Sequence, residues 1–216
     1  MIDSVQEPAD SPHTITRLLR QFQRGDRTAF DALIPLIYDE LHAIAHRHHR
    51  QWNAGETMRT TALVNDAYLK LAQHEGAEYL SHSHFLAVAS RAMRQILSDY
   101  ARSRQAAKRG GEMERVPLDK VEAMLQASPL ASGYDPDGIL ALDHILKRLE
   151  GESERHARIV DCRVFGGMSI EETAQALGIS PATVKRGWTV AQAWLRRELQ
   201  ARSEPSNVEE GGSKAR

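Results

Sequence analysis

The sequence predicts an all-α protein made of two small helical domains joined by a flexible linker. Three observations carry this. Apolar residues recur every three or four positions through most of the chain, and no strand alternation is needed. Residues 110–136 mix proline, glycine, serine and acids without sustained periodicity. A disordered leader is expected over 1–13, domains over 14–109 and 137–202, and a disordered tail over 203–216, where almost no apolar residue occurs.

In chain order, Thr14 opens an amphipathic helix through Leu18, Leu19 and Phe22 that stops near Gly25-Asp26. A second helix is expected from Thr28 to about His49 on Phe30, Leu33, Ile34, Ile37, Leu41 and Ile44, with Pro35 either kinking it or marking its real start. Leu63, Val64, Ala67, Tyr68 and Leu71 form the apolar face of a third, after the loop Asn53-Ala54-Gly55. A fourth runs from about Ser83 to Arg104, with Phe85, Val88, Ala89, Ala92, Met93, Ile96 and Tyr100 on one face and a basic stripe on the other. Gly110-Gly111 ends this half. Beyond the linker, Ile139, Leu142, Ile145, Leu146 and Leu149 mark one helix, and Ala157, Val160, Val164 and Phe165 the next, ending at Gly166-Gly167.

Met168 to Leu199 then reads as a helix-turn-helix. Ile170 to Leu177 is the first helix, with Ile170, Ala174 and Leu177 on one face and Glu171, Glu172 and Gln175 on the other. Gly178 suits the left-handed conformation that ends a helix, Ser180 can cap the next, and Pro181 is preset for its first turn. Val184 is the apolar anchor beneath the second helix, which leaves Thr183, Lys185 and Arg186 pointing outward. The start of a helix held in this way fits the DNA major groove, so Ser180, Thr183, Lys185 and Arg186 are candidate DNA contacts. A helical hairpin used only for packing is the alternative.

Composition narrows the classes. In 216 residues, 41% hydrophobic and 26% charged, no run approaches the roughly 18 apolar residues of a membrane span. The N-terminus lacks the basic start and apolar core of an export signal, so a cytoplasmic protein without a membrane partner is expected. Cys162 is the single cysteine, which excludes an internal disulfide and a multi-cysteine zinc site. The net charge of −1 argues against indiscriminate coating of nucleic acid. It conceals a basic segment, where Arg91, Arg94, Arg102, Arg104, Lys108 and Arg109 face only Asp99.

Several segments, taken in order, resemble the extracytoplasmic-function (ECF) group of bacterial RNA polymerase sigma factors. Leu18-Leu19-Arg20 through Gly25-Asp26-Arg27-Thr28-Ala29-Phe30 looks like the opening of sigma region 2. Leu63-Val64-Asn65-Asp66-Ala67-Tyr68-Leu69-Lys70-Leu71 resembles the helix that docks on polymerase, and Arg91 to Arg102 the helix that opens and reads the minus-ten element. The resemblance covers about 15–109 and 137–199, the second part matching sigma region 4 with its helix-turn-helix. It implies a dissociable specificity subunit with core RNA polymerase and promoter DNA as partners, without catalytic groups or cofactor. By the same resemblance, Ser180, Thr183, Lys185 and Arg186 read the minus-thirty-five element. Arg91, Arg94, Arg102 and Arg104 hold the opened minus-ten strand, and Leu63, Asn65, Asp66 and Tyr68 dock on polymerase.

Two departures from the pattern are informative. The docking helix of ECF factors commonly begins with an acidic cluster, whereas this chain has Arg59-Thr60-Thr61-Ala62. Phosphorylation of Thr61 or Thr60 would add about −1.5 to −2 charge units, so a Ser/Thr protein kinase is expected as an activating partner; a plain helix cap is the alternative. Gly187 in the recognition helix costs about 1 kcal/mol relative to alanine, either permitting close backbone approach or relieving crowding beside Trp188. Two other functions fit parts of the sequence. A conventional helix-turn-helix regulator would need no polymerase. A histidine-based metal enzyme would use His42, His46 and His49, whose spacing can hold zinc, although no cysteine or carboxylate completes a ligand set.

Overall fold

The computed structural model describes residues 12–51, 60–72, 81–108 and 136–203, and these are helical almost throughout, without a strand among them. The elements are α1 (Pro12–Gln23), α2 (Arg27–Gln51), α3 (Thr60–Ala72), α4 (His82–Lys108), α5 (Pro136–Glu152), α6 (Glu154–Val160), a π-helical turn (Asp161–Phe165), α7 (Ile170–Leu177) and α8 (Pro181–Ser203). The all-α class expected from periodicity is therefore observed. The segment expected as a linker lies outside the described residues except for Pro136, which begins α5, and most of the expected leader and tail also lie outside them.

Local chemistry sets the boundaries. Gly25 takes a φ of +93°, reversing the chain after α1. Asp26 then caps α2 by accepting from the Thr28 amide at 3.0 Å and the Thr28 hydroxyl at 2.6 Å. These hydrogen bonds favour its charged form and lower its pKa. Pro35 does not mark the start of α2, which runs through it from Arg27.

The core is continuous. One cluster of buried residues runs from Ile15 and Leu19 through Leu33, Leu63 and Phe85 to Ile139, Leu146, Phe165, Leu195 and Leu199. At its centre α4 packs on α3 along one side and on α5, α7 and the π-helical turn along the other. Both sides of α4 are consequently covered, and Ser90, Arg94 and Ser98 are buried with its apolar residues. The buried hydroxyls of Ser90 and Ser98 donate to the carbonyls of Leu86 and Arg94, each one turn back.

Two glycines mark close helix approaches. A Cβ at Gly166 would lie 2.2 Å from Ser90 Oγ, so the turn after the π-helical segment touches α4 where a side chain cannot fit. At Gly187 a Cβ would stand 2.6 Å from Ile159 Cδ1 and 3.3 Å from His156 Cδ2, so α8 crosses α6 at close range. Close backbone approach is thus the structural use of Gly187. In an open helix interior, glycine to alanine would stabilise by about 1 kcal/mol. Here Gly187→Ala is expected to destabilise by up to about 2 kcal/mol, because displacing the fully buried Ile159 costs about 1–3 kcal/mol and outweighs that gain. A raised urea midpoint for this variant would contradict the packing argument.

Candidate nucleic-acid interface

The helix-turn-helix is fixed by hydrogen bonds at each of its turns. Ser169 and Glu172 form a capping box: the Ser169 hydroxyl accepts from the Glu172 amide at 3.1 Å, and Glu172 Oε2 accepts from the Ser169 amide at 2.7 Å. Gly178 adopts φ +64°, and the Ile179 amide donates back to the Ala174 carbonyl at 3.0 Å. Ser180 caps α8, accepting from the Thr183 amide at 3.2 Å, with the two hydroxyls 2.8 Å apart. Val184 is fully buried against Ile159 and Ala174. Beneath the turn, Arg163 donates to the Met168 carbonyl and lies 5.6 Å from the Trp188 ring centre. Lys185 and Arg186 stand exposed on the first turns of α8. Thr183 is half-buried and Ser180 exposed, with both hydroxyls engaged in the cap.

On α3 the expected docking residues divide. Leu63 is buried in the core, and Tyr68 is half-buried, its ring 5.3 Å from Phe30 and its hydroxyl donating to Asp31 at 3.2 Å. The outer face carries Thr61, Ala62, Asn65, Asp66 and Leu69, all exposed. At 53% exposure Leu69 is one of two large apolar side chains left open to solvent among the described residues; sequence reading passed over it, though it falls off the face shared by Leu63, Val64, Ala67 and Leu71. The side chain of Thr60 lies outside the described residues.

The α4 arginines are not a solvated stripe. Arg94, only 1% exposed, places Nη2 2.5 Å from Glu150 Oε1 and Nε 3.2 Å from Asp161 Oδ1 and 3.9 Å from Asp143 Oδ1. Arg91 is 3.5 Å from Glu150, and Arg102 bridges Asp99 at 2.5 Å and Asp143 at 2.8 Å. Arg104 is half-buried. As arranged here, Arg94 faces carboxylates of α5 and the π-helical turn and is closed to any phosphate from outside.

The family model for "ECF sigma factor" matches residues 12–201, nearly the whole chain. The chain belongs to the ECF sigma factor family. It is accordingly a sigma factor of transcription initiation, a regulatory DNA-binding factor whose partners are core RNA polymerase and promoter DNA. A search of curated proteins finds no match. No helix among the described residues is long and apolar enough to cross a membrane.

In this sigma factor the seam between α4 and α5 concentrates charge. Asp161 is almost fully buried beside one guanidinium and two further carboxylates, so it resists ionisation. Burial raises Asp161 to about 7 against the opposing pull of Arg94, with Glu150 and Asp143 adding to the rise and Arg91 reducing it. A raised carboxylate contributes stability that is full below its ordinary pKa of 3.8 and lost as pH rises through about 7. Unfolding free energy is expected to fall by about 1–3 kcal/mol from roughly pH 5 to pH 8 through this group. His156, lowered by burial and then by Arg155, acts in the opposite sense, costing stability as pH falls below its ordinary 6.5. The comparison of urea unfolding between wild type and Asp161→Asn isolates the first effect, and an unchanged pH slope in the variant would refute it.

Other candidates take structural roles or stay outside the described region. Cys162 is buried, its thiol pushed up to about 12 by burial and then by Asp161, which makes it an inert core residue. His42 stacks on Tyr38 with centroids 5.8 Å apart, while the side chains of His46 and His49 lie outside the described residues. His82 instead meets Glu40 of α2 at 2.6 Å. Beside the seam runs a cavity of about 410 Å³ whose lining includes Lys70, Arg91 and Arg158, each within 4 Å of a carboxylate.

Proposed function

We propose that this sigma factor reads the minus-thirty-five element with α8 and the opened minus-ten strand with α4, and docks on polymerase through α3 under phosphorylation control. The observation that carries the reading is the capped helix-turn-helix with Lys185 and Arg186 exposed at the entry of α8. Ser180 and Thr183 stand beside them, within reach of phosphates. On α4, Arg91, Arg102 and Arg104, joined by Arg94 once it is released from Glu150 and Asp161, supply the positive charge that a displaced strand requires. The α3 surface offered to polymerase is Asn65, Asp66 and Leu69, with Leu63 and Tyr68 fixing that face from beneath.

Thr61 is exposed one residue inside the N-terminus of α3, where the helix dipole favours an anion. A phosphate on Thr61, or on Thr60, would add negative charge to the first turn of α3, where no acidic residue stands, so a Ser/Thr kinase acts as the switch. The factor works where polymerase works, in the cytoplasm, with no membrane partner.

Affinity for core polymerase tests the reading, measured by fluorescence anisotropy for unmodified protein, kinase-treated protein, Thr61→Glu and Thr61→Ala. The phosphorylated form should bind at least about tenfold more tightly, equivalent to one or more charge-assisted contacts. Equal affinity of all forms would remove the switch, and no binding by any folded form would remove the docking role.

A further inference from the structure

Three of the four arginines assigned to the minus-ten strand hold carboxylates from the C-terminal half of the chain. Arg94 meets Glu150 and Asp161, Arg91 meets Glu150, and Arg102 meets Asp143. The three carboxylates come from α5 and from the π-helical turn, which breaks the α6 register at Asp161. Gly166 brings that turn against Ser90 of α4. This contact covers the very surface that strand binding needs.

We infer that the α5 carboxylates Asp143 and Glu150, with Asp161, form an intramolecular clasp that occupies the phosphate-binding arginines of α4 and keeps the free factor closed. The inference rests on the strand-binding role proposed for α4 and adds how that role is withheld. Carboxylates stand where phosphates would, so strand and clasp compete for the same guanidinium groups. The clasp is releasable because it is imperfect. Arg94 Nη1 is buried without a hydrogen-bond partner, and Nε meets Asp161 at 3.2 Å as an ion pair without hydrogen-bond alignment, so the guanidinium has only part of its donor capacity satisfied. Opening exchanges these contacts for water and then for DNA. It also exposes apolar residues that α4 shares with α5 and the π-helical turn, a cost that the new contacts must offset.

The test uses the full chain. Spin labels at Ala32→Cys on α2 and Gln200→Cys on α8, both exposed positions, report the separation of the halves; Cys162 is buried and stays unlabelled. A fluorescein-labelled single DNA strand of random sequence reports access to the α4 arginines without polymerase or promoter, so neither readout depends on whether the factor programs transcription. The clasp variant is Asp143→Asn with Glu150→Gln. Its charge-matched control is Asp39→Asn with Glu171→Gln, both exposed. Glu150→Gln alone retains an acceptor for Arg94 and serves as the milder variant, with helicity checked by circular dichroism.

The expected result is a longer, broader label separation in the clasp variants and a strand affinity increased about tenfold, as when a competent state rises from a minor to a major population. The control should match wild type in both. Equal gains in control and clasp variants would reduce the effect to net charge and overturn the inference. An unchanged separation, or an increased separation without a gain in affinity, would overturn it as well.

Discussion

Replacing Lys185 and Arg186 together with alanine is expected to abolish promoter-specific binding by the polymerase-bound factor while leaving its fold intact. Both side chains are exposed on α8, so their removal exposes no core and creates no cavity. Their loss removes contacts worth about 1–3 kcal/mol each if made to base edges, together roughly 30-fold to more than 1,000-fold in affinity. If they meet phosphates instead, the loss is uniform across sequences and the salt slope falls by about one unit per residue. Binding measured over a salt series on matched and mismatched minus-thirty-five sequences separates the two. Retained specificity at full affinity would remove α8 from recognition.

Arg94→Met is expected to be among the most destabilising polar substitutions in the chain. It strips a buried cation from Asp143, Glu150 and Asp161, and breaking a buried pair on one side costs about 3–5 kcal/mol. The lower end is expected here. Arg102 and Lys147 still reach Asp143, at 2.8 and 2.9 Å, and Asp161, already raised, can take up a proton. Adding Asp161→Asn to Arg94→Met should recover more than about 1 kcal/mol, since the two residues share one network and their effects are not additive. Chemical denaturation of the single and double variants checks this; additive losses would show that Arg94 and Asp161 do not interact.

The helix-turn-helix was legible because its determinants are local. Ile170 to Leu177 is bounded where the periodicity places it, and Gly178, Ser180 and Val184 take the turn, cap and anchor roles that their chemistry suggests. The capping box was readable too, since Ser169 precedes Glu172 by three positions, yet it was passed over. On α3 the expected docking set mixed two faces. Leu63 shares the spacing of Val64, Ala67 and Leu71 and is core, whereas Leu69, off that spacing, is the exposed residue.

Long-range features were not legible. Arg94 looks like one more member of a basic stripe until Glu150 and Asp161, 56 and 67 positions away in sequence, are brought beside it. Nothing near Arg94 encodes that meeting. The π-helical turn is similarly silent, because Val160, Val164 and Phe165 suit a regular helix equally well. Gly187 left two explanations open, and the nearness of Ile159, 28 residues earlier, decides between them.

Run-off transcription with purified core polymerase, on promoters selected from the source genome, tests the central claim most directly. The assay compares phosphorylated wild type with the Lys185→Ala, Arg186→Ala double variant. A promoter-specific transcript that requires the added chain and is lost with the double variant is the result expected of a sigma factor reading DNA through α8. No transcript from any folded form, or a transcript indifferent to Lys185 and Arg186, would contradict it.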